Sequence, residues 1–79
     1  MKTVKSLLEA EKSMKKGNHK VIISGNHRRF YYYVTPIVVV DDEKGVFTTN
    51  NGGWGTTSTT RAINAYKKEL KKKDYREVG

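Results

Sequence analysis

The stretch "KVIISGNHRRFYYYVTPIVVVDDEKGVFTTN", residues 20–50, decides the fold. It is rich in β-branched and aromatic residues and broken by turn-forming ones, so it reads as strands joined by tight turns. Gly25-Asn26 predicts a two-residue hairpin loop with glycine first. That loop pairs Ser24 with His27, Ile23 with Arg28, Ile22 with Arg29 and Val21 with Phe30. The acidic turn "DDEKG" closes a second hairpin, with Gly45 suited to the left-handed position. The strand after it, Val46 to Asn50, pairs with Val38 to Asp41. Between the two pairings the run "RRFYYYVTPIVVV" reads as one long strand. Pro36 lies inside that run, where proline has no N–H for a ladder. It falls between the two pairings, or at a bulge that switches the face of later residues.

Helical patterns flank this core. Val4, Leu7, Leu8 and Met14 share one helical face, Thr3 suits the start, Glu11 and Lys15 form a favourable pair, and Gly17-Asn18 provides a stop. A first helix is therefore expected from about Val4 to Lys16. Ile63, Tyr66 and Leu70, flanked by Ala62 and Ala65, predict a second helix from about Ser58 to Lys73. The tail from Asp74 to Gly79 is expected to fray. The expectation is an α+β fold: a three-stranded antiparallel meander with an N-terminal and a C-terminal helix, α-β-β-β-α, in a single domain over residues 1–79.

Such a short chain buries only about 60–65% of its unfolded surface, which leaves little room for a deep catalytic cavity. Without cysteine there is neither a disulfide nor a thiolate metal site, and the composition fits a reducing cytoplasm. No apolar run approaches the ~20 residues of a membrane span. The N-terminal "MKTVKSLLEAEKSMKK" breaks its apolar residues with charges, so it reads as mature protein rather than a signal peptide. Sixteen Lys and Arg against eight Asp and Glu leave a net charge of +8. That balance favours polyanionic partners.

Three constellations carry chemistry. The first is "NNGGWGTTSTTR", residues 50–61. Glycines before a helix start let N–H groups approach an anion, giving a candidate anion site at Gly55, Thr56, Thr57 and Ser58 with Arg61 beside it. It lacks the G-K-[ST] ending of a nucleotide-hydrolysing loop. The competing reading is structural: Thr57 or Ser58 caps the helix and Trp54 packs over the core. The second is the first hairpin, whose alternation puts Val21, Ile23, Phe30, Tyr32 and Val34 on one face. Lys20, Ile22, His27, Arg29, Tyr31 and Tyr33 take the other. Rings interleaved with cations suit a platform that stacks bases and holds phosphates, unless the second helix covers that face. The third is "YKKELKKKDYR", whose lysines either follow a phosphate backbone or are simply solvated. His19 and His27 lie at opposite ends of the first strand with no metal-ligand spacing, and the acids at 41–43 read as turn formers. No catalytic set stands out, so the expectation is no enzyme, no cofactor and no metal.

"YVTPIVVVDDEKGVF" followed by "GGWGTTSTTRAINAY" resembles a pattern in small uncharacterised phage-encoded proteins, a Tyr-x-Thr-x-Ile strand leading to a Trp/Thr-rich tract and a helix. The matching positions are Tyr33, Thr35 and Ile37, then Trp54, Thr56, Thr57, Thr59 and Thr60, and finally Tyr66. The resemblance spans Tyr33 to Tyr66, less than half the chain, and brings no activity with it. It implies a setting: a phage or mobile-element accessory protein in bacterial cytoplasm. Proteins of that setting often block host or defence complexes, CRISPR effectors among them. Joined to the charge, this leads to an anti-defence binding protein that engages a nucleoprotein. Direct nucleic-acid binding is the alternative, and a sponge for small anionic nucleotides the third reading. The residues singled out for partner contact are Arg28, Arg29, Tyr31, Tyr33, Arg61, Lys67, Lys71 and Lys72. A three-stranded sheet keeps two edges, so monomer and homodimer both remain open.

Overall fold

The computed structural model describes residues 2–53 and 55–78. In chain order its elements are α1 (Lys2–Leu8), β1 (Met14–Lys16), β2 (His19–Ser24), β3 (His27–Tyr32), β4 (Thr35–Asp41), β5 (Val46–Thr49), α2 (Thr57–Lys72) and β6 (Arg76–Glu77). The strands form one sheet in chain order. All neighbours are antiparallel except β5 and β6, which are parallel. The α+β class and the two helices hold; the three-stranded meander is replaced by six strands.

Turn chemistry explains the parts that match the sequence. Gly25 has φ +59° and Gly45 has φ +67°, conformations that glycine adopts without steric cost. The β2–β3 register pairs Ser24 with His27 and Val21 with Phe30, and the β4–β5 register pairs Val38 with Thr49 and Asp41 with Val46.

The long central strand is instead two strands joined at Tyr33-Val34. Tyr33 takes φ +57°, which its side chain disfavours. Non-local bonds hold it there: its N–H donates to the Asn18 carbonyl at 2.8 Å, and Asn18 Nδ2 donates to its phenol oxygen at 3.0 Å. Pro36 then stands opposite Tyr31, and the register shifts between Phe30 and Tyr31 so that Ile37 is the extra residue. This bulge lets Ile37 and Val38 both be buried although they are consecutive. Pairing with β5 begins at Val38, so the missing N–H of Pro36 costs little.

The first helix stops at Leu8 rather than Lys16 because longer-range partners claim the residues beyond it. The Ser13 hydroxyl accepts from Ile23 N–H at 2.9 Å, and Met14–Lys16 pairs with β2. The Glu11–Lys15 helical pair therefore does not form. Gly17, φ +58°, makes a hairpin turn and not a helix stop. Arg28 Nη1 donates to the Leu8 carbonyl at 2.7 Å, satisfying one of the carbonyls left open at the helix end.

The tail does not fray throughout. After α2, Asp74 N–H donates to the Lys71 carbonyl and Tyr75 N–H to the Leu70 carbonyl, both at 3.1 Å, a Schellman motif with Asp74 at φ +65°. The chain then turns along β5, where Arg76 N–H reaches Gly45 O at 3.0 Å and Val78 N–H reaches Phe47 O at 2.8 Å.

Both helices pack on one face of the sheet. Val4, Leu7 and Leu8 of α1 and Ala62, Tyr66 and Leu70 of α2 meet Val21, Phe30, Val38, Val40 and Phe47 in a single core. The Phe30 and Tyr66 rings lie 4.9 Å apart, a tilted pair that locks α2 to the sheet centre. The core face foreseen for the first hairpin is thus observed for Val21 and Phe30, with Ile23 and Tyr32 packed at its margin. Val34 is the exception: it sits in the turn and is 87% exposed.

Candidate functional site

In a pleated sheet, directly paired residues share a face. Three rows therefore line the face turned away from the helices. One is Lys15–Lys20–Tyr31–Pro36, the second Ile22–Arg29–Val39–Thr48, and the third Ser24–His27–Asp41–Val46–Arg76. Neither helix lies over these rows, and none of their residues is fully buried. The second helix does not cover the hairpin's cationic side, so that side is open among the described residues.

The face is basic and carries few internal partners. Lys20 Nζ stands 4.7 Å from the centroid of the Tyr31 ring, a cation–π contact. His27 Nε2 lies 3.6 Å from Asp41 Oδ2. Among the described residues no acid comes within salt-bridge distance of Lys15, Lys20, Arg29 or Arg76.

The residues singled out from sequence divide into separate groups. Arg29 and Tyr31 sit on the open face, and Tyr33, 60% exposed, marks its end at the β3–β4 turn. Arg28 points the other way. Its Nε and Nη2 each donate to Asp42 at 2.7 Å, and its side chain is only 12% exposed. Arg28 is therefore engaged within the fold, where it ties α1, β3 and the β4–β5 turn together. Arg61, Lys67, Lys71 and Lys72 belong to α2, in the helical layer on the far side of the sheet. Lys67 and Lys71 reach Glu77 at 3.3 and 3.9 Å, and Lys72 reaches Glu69 at 3.4 Å. One compact ligand on the open face cannot touch those α2 residues as well.

The glycine-rich loop is organised around its own side chains. Asn50 Oδ1 accepts from Gly52 N–H at 2.8 Å, and Asn51 Oδ1 accepts from Gly53 N–H at 2.9 Å. Thr56, not Thr57 or Ser58, caps α2: its hydroxyl oxygen accepts from Thr59 N–H at 3.3 Å and donates to Thr59 Oγ1 at 2.9 Å. Thr56 thus takes the Thr59 N–H, which adjoins the candidate anion site of Gly55, Thr56, Thr57 and Ser58, while these side-chain bonds leave the N–H groups of those four residues unused. The expected packing of Trp54 lies outside the described residues.

Two buried polar groups stand out on the core side. His19 is 8% exposed, its ring 5.0 Å from Tyr32 and 6.2 Å from Tyr66, and its Nδ1 has no hydrogen-bond partner among the described residues. Burial pushes the His19 pKa down. The Tyr66 hydroxyl is likewise without a partner among the described residues, and burial pushes its pKa up. Among the described residues neither of these orphaned atoms is hydrogen-bonded to a carboxylate or nucleophile. Among the described residues no three His, Asp or Glu side chains gather as a metal site, and no helix is long and apolar enough to cross a membrane.

Lys15 and Arg76 are the open-face cations that sequence reasoning missed. Lys15 was hidden in a helical pattern and Arg76 in the tail. A signal for Lys15 does exist: the tripeptide Gly-Asn-His occurs at 17–19 and again at 25–27, and both copies open a hairpin with a positive-φ glycine. Comparison with known proteins found no match among family models, curated proteins or solved structures.

Proposed function

We propose that this chain is a non-enzymatic binding protein, a phage or mobile-element accessory factor that engages a host or defence nucleoprotein, CRISPR effectors being one such class, through the open basic face of its sheet. The uncovered face carries the proposal: Lys15, Lys20 and Arg29 cluster near Tyr31 and Arg76 extends the positive charge to the opposite corner of the sheet, all without acidic partners among the described residues. A surface of this kind favours a polyanion through counterion release and raises the rate of encounter. The phage setting and the bacterial cytoplasm come from the sequence resemblance. Contact between Lys20 and the Tyr31 ring favours a second reading, direct binding of nucleic acid as a small regulator. The nucleotide sponge is the third reading: the loop's own side chains take the N–H groups of Gly52, Gly53 and Thr59, which flank the cradle at Gly55–Ser58.

Affinity capture from bacterial lysate, with and without nuclease, tests the proposal. A nucleoprotein retained by the native chain and lost by a variant with Lys20 and Arg29 both changed to Gln supports it. Retention after nuclease points to a protein surface within the complex, and loss after nuclease points to its nucleic acid. Failure to enrich any nucleoprotein refutes the proposal.

A further inference from the structure

Lys15 stands directly opposite Lys20, and Lys20 directly opposite Tyr31. Like charges facing each other across a strand pair destabilise a sheet. No acid among the described residues offsets this pair. Such an arrangement fits a bound anion that neutralises it.

The pair borders a notch of about 290 Å3, lined by Lys15, Gly17, Asn18, Lys20, Tyr33 and Val34. The walls are two hairpin turns, Gly17-Asn18 and Tyr33-Val34. Tyr33 holds its ring there in a left-handed backbone conformation, with its phenol oxygen fixed by Asn18 Nδ2. Exposed Val34 extends the apolar rim. The notch therefore joins Lys15 and Lys20 to the exposed Tyr33 at its rim, and Tyr31 stands beside Lys20 on the next strand, its ring 4.7 Å from the Lys20 ammonium.

We infer that this end of the open face binds single-stranded nucleic acid, with a phosphate between Lys15 and Lys20 and bases stacked on Tyr33 and Tyr31. The inference rests on the polyanion reading of the face and names the part of the partner it takes. A single strand supplies both anionic groups and free ring faces. A duplex hides its base faces within its own stack, so the two tyrosines gain nothing from it. An acidic protein segment supplies charge but no flat faces for the rings and Val34. A base that takes the Tyr31 face displaces the Lys20 ammonium from it, and the ammonium then meets the adjoining phosphate.

Fluorescence anisotropy with labelled short oligothymidine, oligouridine and a duplex of equal length tests this on the full chain. Expected is tighter binding to a single strand than to the duplex by about tenfold or more at about 50 mM salt. Three contacts, Lys15, Lys20 and Arg29, give a slope of log affinity against log salt near about −2 for a single strand. The double variant Lys15→Gln/Lys20→Gln removes about two-thirds of that slope. Its melting temperature should change little, since relief of the Lys15–Lys20 repulsion offsets the lost contact of Lys20 with the Tyr31 ring, so lost binding is not lost folding. Tyr33→Asn keeps a residue that tolerates the left-handed turn, yet weakens binding by at least about fivefold through loss of stacking. Lys5→Gln/Lys68→Gln, matched in charge but located on the helices, measures the effect of net charge alone. Duplex binding equal to single-strand binding overturns the inference and leaves the basic-face proposal standing. So does a Lys15/Lys20 variant no weaker than its control. Absence of all nucleic-acid binding also overturns it, while nuclease-resistant capture of a nucleoprotein would still uphold the broader proposal.

Discussion

Replacing Asp42 by Ala tests the contact that holds three parts of the fold together. Asp42 takes two hydrogen bonds from Arg28 at 2.7 Å, and Tyr75 Oη donates to the same carboxylate at 2.5 Å. An exposed ion pair contributes ~0.2–1 kcal/mol, whereas breaking a fully buried one costs ~3–5 kcal/mol. This pair lies between those limits, with the two side chains 12% and 32% exposed. The truncation also strands a largely buried guanidinium and a tyrosine hydroxyl, which places the loss at ~2–3 kcal/mol. For a domain of this size that lowers the melting temperature by roughly 8–24 °C. Circular dichroism during urea and thermal unfolding measures it, and a cycle with Arg28→Met isolates the coupling, expected at about 1.5 kcal/mol. The pH dependence has a defined sign. Burial alone would raise the Asp42 pKa, but the hydrogen bonds from Arg28 and Tyr75 and the Arg28 charge outweigh it and hold the carboxyl below its usual range. The stabilisation is then complete above the unfolded carboxyl pKa, about 3.9, and is lost as pH falls through the lower folded value. Wild type and Asp42→Asn should therefore converge in stability as the solution is acidified from about pH 5. A native-like Asp42→Ala protein that loses less than ~0.5 kcal/mol would refute the reasoning.

Three further outcomes follow from particular side chains. Tyr66→Phe removes a buried hydroxyl without a partner among the described residues and should raise stability by ~0.5–2 kcal/mol, seen as a higher urea midpoint; destabilisation would show that the hydroxyl is satisfied in solution. His19 is held neutral by burial, so stability should fall as pH drops below the unfolded histidine value of about 6.5 and level off below the folded one. His19→Leu should flatten that part of the profile, and an unchanged slope between about pH 8 and 5 counts against a buried neutral ring. Asp74→Gly relieves the left-handed strain at the end of α2 and should add ~0.5–1 kcal/mol, checked by thermal melting.

Which parts of this protein were legible in its sequence follows from the range of the interactions that hold them. The Gly25-Asn26 and Gly45 turns, the registers they set and the span of α2 depend on residues within a few positions of one another. The charge of +8 is likewise a property of the chain alone. The candidate face was half visible, because alternation along β3 places Arg29 and Tyr31 together whatever lies on either side of the sheet.

Tertiary structure decided the rest. Met14–Lys16 is too short to show a period of its own, and it becomes a strand only because β2 offers an open edge. Arg76–Glu77 becomes one because α2 delivers the tail beside β5. Tyr33 turns the chain against its own preference because Asn18, distant in sequence, holds both its N–H and its phenol. These placements bring Lys15 and Arg76 onto the face and leave Arg28 inside the fold. Which side stays open was settled where Phe30 met Tyr66, which commits α2 to one side of the sheet, and where Val4, Leu7 and Leu8 joined the same core and brought α1 to that side.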